Sequence, residues 1–303
     1  MALELDNWTA EYLSEELADR DDLGMMTLRQ AIDLYTREKL TAILEKTNCG
    51  RWGEVPFTAE GKPGADTQRE QDFCTGSMQM VIDRSDTVLF LMPLEEGTTG
   101  RLFTQAAEKI GAKVIPYGEA FVQKETGGRE EADMILQRIR EEGVTCVIAN
   151  PTHMVALARA AARQAEAGAD EIYLRSILLT GGFAPDKTVM LLEEVFQAMV
   201  FELSAIPEVG LGISVSCGYG KGSHIREADL FIELINTVTE EPIRFESPKT
   251  PGFSNYGEIV LTTLNREDAP LIRYRTGYYS RWIFGACPCG SQLKRLDKII
   301  PGE

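Results

Sequence analysis

Residues 144–166 read VTCVIANPTHMVALARAAARQAE. Val144–Ala149 is a short, almost uninterrupted apolar run, the pattern of a strand covered on both faces. Asn150-Pro151 then starts a helix, with Asn as the cap and Pro, which needs no N–H donor there, in the first turn. The Ala-rich stretch that follows is that helix, reaching Glu166. Such strand–turn–helix units need neighbours, because each strand exposes two apolar faces. The neighbours are present on both sides. Thr87–Met92 (TVLFLM) and Lys113–Pro116 precede it as strands, with the amphipathic Arg101–Ile110 between them. Glu130–Glu142 is a charged-face helix closed by Gly143 as a C-cap. Ser176–Leu179 and Met199–Leu203 follow as strands, separated by a helix over Asp186–Gln197. Alternation of this kind predicts an α/β fold with a parallel-rich sheet, right-handed crossovers and flanking helices.

The texture differs at both ends. Leu13, Leu17, Leu28, Ile32, Tyr35, Leu40, Ile43 and Leu44 recur at helical spacing and predict helix across 9–47. A Gly- and Pro-containing loop runs from Cys49 to about Asp66. Beyond about Gly210, strands are expected at Leu230–Asn236, Glu258–Leu264 and Arg281–Phe284 with no long helix between them. The expected organisation is a helical segment and loop over 1–65, an α/β core over 66–240 and a small β subdomain over 241–303.

Composition narrows the partners. The 303 residues carry 31 Lys+Arg against 47 Asp+Glu, a formal charge of −16, with 44% hydrophobic residues. A field of that sign repels phosphate backbones and anionic membranes, so neither nucleic acid nor membrane is an expected partner. No apolar run approaches the ~20 residues of a membrane span. The acidic start, MALELDNWTAEYLSEELADRDD, does not read as a signal peptide. Six cysteines in a chain of this length make no disulfide framework. A reducing cytoplasm is the expected location.

Cys287-Pro-Cys289-Gly290 is a short thiolate hook, and Cys217 and His224 lie far upstream among glycines. Three thiolates and an imidazole make a closed tetrahedral zinc set. By spacing alone, unrelated buried thiols and a surface histidine fit as well. Cys146 reads as a core thiol; Cys49 and Cys74 show no pairing logic. A catalytic zinc hydrolase is set aside, since it needs an open coordination position and a nearby base.

GEIVLTTLNREDAPLIRYRTG (257–277), CPCGSQLKRLDKI (287–299) and CGYGKGSHIREADLFIELIN (217–236) occur in this order. Together with GAKVIPYG (111–118) they resemble the phenylacetate–coenzyme A ligase branch of the adenylate-forming enzymes, over about residues 66–300. The resemblance implies stacked α/β subdomains, the N-terminal core of that fold, and a smaller distorted β-barrel. It implies structural zinc at Cys217, His224, Cys287 and Cys289. It implies ATP and magnesium as cofactors, and a small carboxylic acid and coenzyme A as substrates, with homodimers common. The carboxylate attacks the α-phosphate of ATP, and the coenzyme A thiol then displaces AMP. By the same resemblance, Gly181-Gly182 lies against adenine, Arg275 and Tyr278 are on the nucleotide side, His153 faces the acid pocket, and Glu208 is a magnesium ligand with a catalytic role.

Several positions depart from the family pattern. The phosphate loop is expected before Asp66, where TNCGRWGEVPFT (47–58) has Arg51 and Trp52 in its middle. EEGTTG (95–100) is loop-like but reads as a strand–helix turn. In FELSAIPE (201–208) only Glu208 keeps its family identity. Tyr278 stands where the family has the aspartate that accepts hydrogen bonds from both ribose hydroxyls; a neutral phenol offers one oxygen and no charge. The family's C-terminal lid follows a hinge that matches KIIPGE (298–303), so the expected fold is the core with the lid absent. Two functions fit: an acyl- or aryl-CoA ligase-like protein with adenylation weakened by these departures, or a pseudoenzyme with structural zinc that binds an acid-like ligand or a protein partner.

Overall fold

The computed structural model describes residues 4–16, 26–47, 65–94, 99–117, 128–206, 209–245, 256–266 and 270–302. In chain order the helices are α1 (Glu4–Glu16), α2 (Leu28–Thr47), α3 (Ala65–Gln79), α4 (Thr99–Ile110), α5 (Arg129–Glu142), α6 (Pro151–Glu166) and α7 (Asp186–Phe196). The helix expected across 9–47 is two helices, α1 and α2. The chain divides into two units, residues 74–204 and residues 1–73 with 205–303.

The first unit is a parallel sheet of β1 (Thr87–Leu91), β2 (Lys113–Pro116), β3 (Cys146–Ala149), β4 (Ser176–Leu179) and β5 (Met199–Ile206), in the order β2-β1-β3-β4-β5. Register is continuous: Leu89 faces Val147, Val147 faces Ile177, and Ile177 faces Val200. Residues of β3 and β4 are buried throughout, which is why those segments read as unbroken apolar runs. One core joins Leu89, Val147 and Ile177 of the sheet to Leu136 of α5, Leu157 of α6 and Leu192 of α7. The predicted punctuation is present. Gly143 is left-handed (φ 63°) and donates its N–H to the Ile139 carbonyl. The Asn150 side chain accepts the Thr152 N–H at 2.8 Å with Pro151 beside it. Cys146 is fully buried in β3, where desolvation pushes its thiol up to about 12, as befits a core residue.

The second unit carries an antiparallel sheet of β6 (Gly210–Ser216), β7 (Ser223–Ile225), β8 (Leu230–Ile235), β9 (Tyr256–Thr263), β10 (Tyr274–Ile283), β11 (Arg295–Leu296) and β12 (Ile300–Pro301). Their order is β6-β7-β11-β10-β9-β8, with β12 paired to β10. The expected barrel is therefore an open sheet among the described residues: β8 and β6 lie at opposite ends of the order and are not joined. Ile213, Ile232, Ile259, Leu261 and Trp282 form its core. The short strand expected at Arg281–Phe284 is the end of the longer β10. Its first half has alternating exposure, so its charged residues hide the strand from a search for apolar runs. The β10–β9 register shifts between Arg275 and Tyr279, around left-handed Gly277 (φ 71°). No helix among the described residues is long and apolar enough to cross a membrane.

Helices α1 and α2 belong to this second unit. Tyr12 and Tyr35 meet edge-on at 6.3 Å, and the Asn265 side chain donates to the Tyr35 hydroxyl at 2.8 Å. Arg226 is buried between Glu70 (2.8 Å) and Asp229 (2.5 Å), with its guanidinium 4.6 Å from the Phe73 ring centroid.

Candidate metal centre and nucleotide-side residues

Four side chains remote in sequence converge in the second unit. β7 lies between β6 and β11, with His224 opposite Val215 and Arg295. Cys217 follows β6 directly, and left-handed Gly218 (φ 72°) turns the chain away from it. Cys287 and Cys289 occupy the loop between β10 and β11. The Gly290 N–H closes that loop onto the Cys287 carbonyl at 3.0 Å, and Gly290 is itself left-handed (φ 87°). One ligand atom from each of Cys217, His224, Cys287 and Cys289 lies within 4.8 Å of every other, and all four residues are buried.

The separations suit one small cation. Cys217 Sγ and Cys287 Sγ are 3.6 Å apart, and Cys289 Sγ is 3.4 Å from His224 Nε2. Tetrahedral zinc with ordinary Zn–S and Zn–N bonds needs about 3.8 Å between two sulfurs and about 3.6 Å between sulfur and nitrogen. His224 Nδ1 is 3.3 Å from the Leu293 carbonyl. Donation there leaves Nε2 with its lone pair toward the thiols. Burial pushes the imidazole down to about 4, so it is neutral at pH 7, and pushes the Cys289 thiol up to about 12. A cation at the centre is what would make such buried thiols give up their protons.

Surrounding residues hold these loops together. Buried Arg295 donates to the Lys221 carbonyl and to the Gly285 carbonyl, both at 2.9 Å. Its positive charge would offset part of the net negative charge that three thiolates around a divalent ion would carry. A Cβ on Gly220 would sit 3.0 Å from Cys287 Sγ, so a larger residue would push into the ligand set.

The nucleotide-side candidates fall into separate places. On β10, the Arg275 guanidinium donates from Nε (2.8 Å) and Nη2 (2.5 Å) to one oxygen of buried Glu258, whose other oxygen accepts the Gly277 N–H at 3.2 Å. Glu258 raises the pKa of Arg275 through this bond and its charge. Tyr278 is half-buried, packs on the Ile259–Trp282 core and donates its backbone N–H to Thr276 Oγ1 at 3.1 Å. In the parallel unit, the Asn150 amide donates to the Gly181 carbonyl at 2.7 Å. Gly181 is left-handed (φ 72°), and a Cβ on Gly182 would lie 3.1 Å from Asn150 Nδ2. His153 is buried on α6 and hydrogen-bonds the Leu91 backbone; desolvation lowers its pKa. Glu208, most of 47–58 and Glu95–Thr98 lie outside the described residues. Sequence reading misses Glu258 and Arg295. The Glu258–Arg275 pair is the more findable, because both residues lie in the one quoted stretch 257–277.

The parallel sheet and the open antiparallel sheet together carry the core fold of the adenylate-forming enzymes. A crystal structure of 2-hydroxyisobutyryl-CoA ligase, in an open conformation with 2-HIB-AMP and CoA, matches with a TM-score of 0.64 and 17% identity. The match covers 84% of this chain and 56% of that one. The same ligase in its thioesterification state matches 99% of this chain and 67% of its own, with a TM-score of 0.62 and 16% identity. No protein-family model matches the chain. In sequence the chain is 27% identical over 201 residues to the phenylacetate-coenzyme A ligase of Thermus thermophilus and 28% identical over 197 residues to that of Pseudomonas putida. Each alignment takes in 64% of this chain but only 40% and 39% of the relative, so the chain matches about two fifths of the length of those proteins. The resemblance read from the motifs is thereby borne out: the chain is similar in sequence to phenylacetate-CoA ligases and has an adenylate-forming fold.

Proposed function

We propose that the chain is an acyl- or aryl-CoA ligase-like protein of the phenylacetate-CoA ligase type, with a structural zinc centre and a nucleotide side that holds Mg-ATP weakly. The observation that carries the reading is the state of the RYRTG strand. Arg275 is clasped by Glu258, and the next position beyond Gly277 presents a core-packed phenol in place of a carboxylate. A ribose then loses two charge-assisted hydrogen bonds, each ordinarily about 1.5–3 kcal/mol. The closed donor set at Cys217, His224, Cys287 and Cys289 supports a structural role for the ion, because four protein ligands leave no position for substrate. When bound, zinc supplies cross-linking of the β6–β7 and β10–β11 connections.

In this reading a small carboxylic acid and coenzyme A are the substrates, with Glu208 as magnesium ligand. The Gly181–Gly182 turn serves as a base contact, and His153 serves the acid pocket from behind its Leu91 contact. A homodimer in the cytoplasm is the working assembly. The second reading, a pseudoenzyme that keeps the scaffold and binds an acid-like ligand or a protein, is favoured by the same phenol. ATP–pyrophosphate exchange across a panel of aromatic and aliphatic acids separates the two. Exchange above background with any acid supports the ligase reading and excludes the pseudoenzyme. Calorimetry is expected to give Mg-ATP binding weaker than millimolar, and micromolar binding would overturn the claim of a weakened nucleotide side.

A further inference from the structure

We infer that Asp6 of α1 is a positioning residue of the metal centre, so that ion binding and the seating of α1 reinforce one another. The inference rests on the metal reading above. Asp6 is buried, although it lies near the start of the chain. Its Oδ1 accepts the Ser291 hydroxyl at 2.8 Å, and its Oδ2 accepts the Gln292 N–H at 3.0 Å. Both donors lie in the loop that carries the Cys-x-Cys hook. From Ser291 the connection divides toward two ligands. The Ser291 N–H points at Cys289 Sγ, 3.4 Å away. The Ser291 hydroxyl oxygen accepts the Leu293 N–H at 3.2 Å, and the Leu293 carbonyl is the partner of His224 Nδ1. One carboxylate on α1 therefore fixes the loop that sets both the thiolate of Cys289 and the ring of His224.

Partners bonded directly to metal ligands typically change metal affinity about 10–100-fold when removed; Asp6 acts one bond further out, through Ser291, so the lower end of that range, about tenfold, applies. Coupling between two equilibria is reciprocal: whatever factor α1 contributes to ion binding, the ion returns to the docking of α1. Thr9, one turn after Asp6, is buried as well. Further along, Leu13 enters the core, Tyr12 meets Tyr35, and Glu16 pairs with Lys39 at 3.2 Å.

The test uses the full chain and zinc itself. Zinc affinity is measured by competition with a chromophoric chelator for wild type, Asp6→Ala and Asp6→Asn, with the absorption of the cobalt-substituted proteins as a second readout. Asp6→Ala is expected to weaken zinc by about tenfold and to alter the cobalt–thiolate spectrum. Asp6→Asn is expected to recover most of the affinity, because its amide oxygen can accept the Gln292 N–H and the Ser291 hydroxyl can turn to accept from the amide. In wild type, removing zinc should speed amide exchange in 4–16 by the same factor while 74–204 is unchanged. This arm needs no variant. Zinc affinity within twofold of wild type in Asp6→Ala, or exchange in 4–16 that ignores the ion, overturns the inference alone. A chain that takes up no zinc overturns the metal reading with it.

Discussion

Replacing Tyr278 with aspartate puts the central claim about the nucleotide side at risk. The phenol is half-buried on the Ile259–Trp282 core, and its backbone N–H is held by Thr276 Oγ1, a contact any side chain at this position retains. Truncating the ring gives up part of an aromatic side chain's burial, about 1–1.5 kcal/mol of stability. Glu258, opposite the neighbouring Tyr279 in the β9–β10 register, already shares its charge with Arg275 and the Gly277 N–H, so it adds little repulsion. Against these losses stand two charge-assisted hydrogen bonds to vicinal ribose hydroxyls. At about 1.5–3 kcal/mol each, and less than additive, they contribute about 2–4 kcal/mol. With 1.4 kcal/mol per factor of ten, Mg-ATP should bind about 30- to 700-fold more tightly. Calorimetric titration with Mg-ATP and with AMP measures this directly. Tyr278→Phe should leave affinity unchanged, and Tyr278→Asn should fall between. Affinity within threefold of wild type, in a Tyr278→Asp protein that melts as a folded chain, refutes the reasoning and means the pocket is altered beyond this one residue.

Arg226→Met should cost about 3–5 kcal/mol in urea denaturation, because Glu70 and Asp229 are left buried without their shared cation; replacing all three residues with apolar ones should cost less, and a single-variant loss under 1 kcal/mol would remove the claim. Both histidines have folded pKa values lowered by burial, His224 to about 4. Protons therefore bind the unfolded chain more readily, and metal-free protein should lose stability as pH falls below about 6.5. Between pH 7.5 and 5.5, melting temperatures should drop for wild type and stay flatter for the His153→Gln, His224→Gln double variant; equal slopes would contradict the burial argument. Gly222 and Gly285 are both left-handed (φ 79° and 87°), but a Cβ on Gly222 would lie 2.5 Å from the Leu296 carbonyl oxygen, while one on Gly285 meets nothing within 4 Å. Gly285→Ala should cost about 1–2 kcal/mol; Gly222→Ala should cost clearly more and weaken zinc uptake, and equal melting temperatures would show that sterics at Gly222 do not matter.

What the sequence by itself determined is whatever depends on neighbours along the chain. The apolar runs at 87–91, 146–149 and 176–179, the Asn150-Pro151 cap and the left-handed Gly143 name the parallel sheet and its helices, because capping and periodicity act within a few residues. The motif order of the C-terminal stretch likewise pointed to the fold and to the four side chains that converge at the candidate metal centre. Tertiary structure alone decided the rest. β6 (GLGISVS) is interrupted by two glycines and β7 (SHI) is only three residues long, so both escape the apolar pattern; β7 forms because β6 and β11 supply its hydrogen bonds. The antiparallel strands leave β8 and β6 unjoined, and closure is a property of strand pairing that no single segment encodes. Glu258 turns to Arg275 and Asp6 to Ser291 only once distant segments are packed together, since a buried carboxylate takes whatever donors the fold brings within about 3 Å.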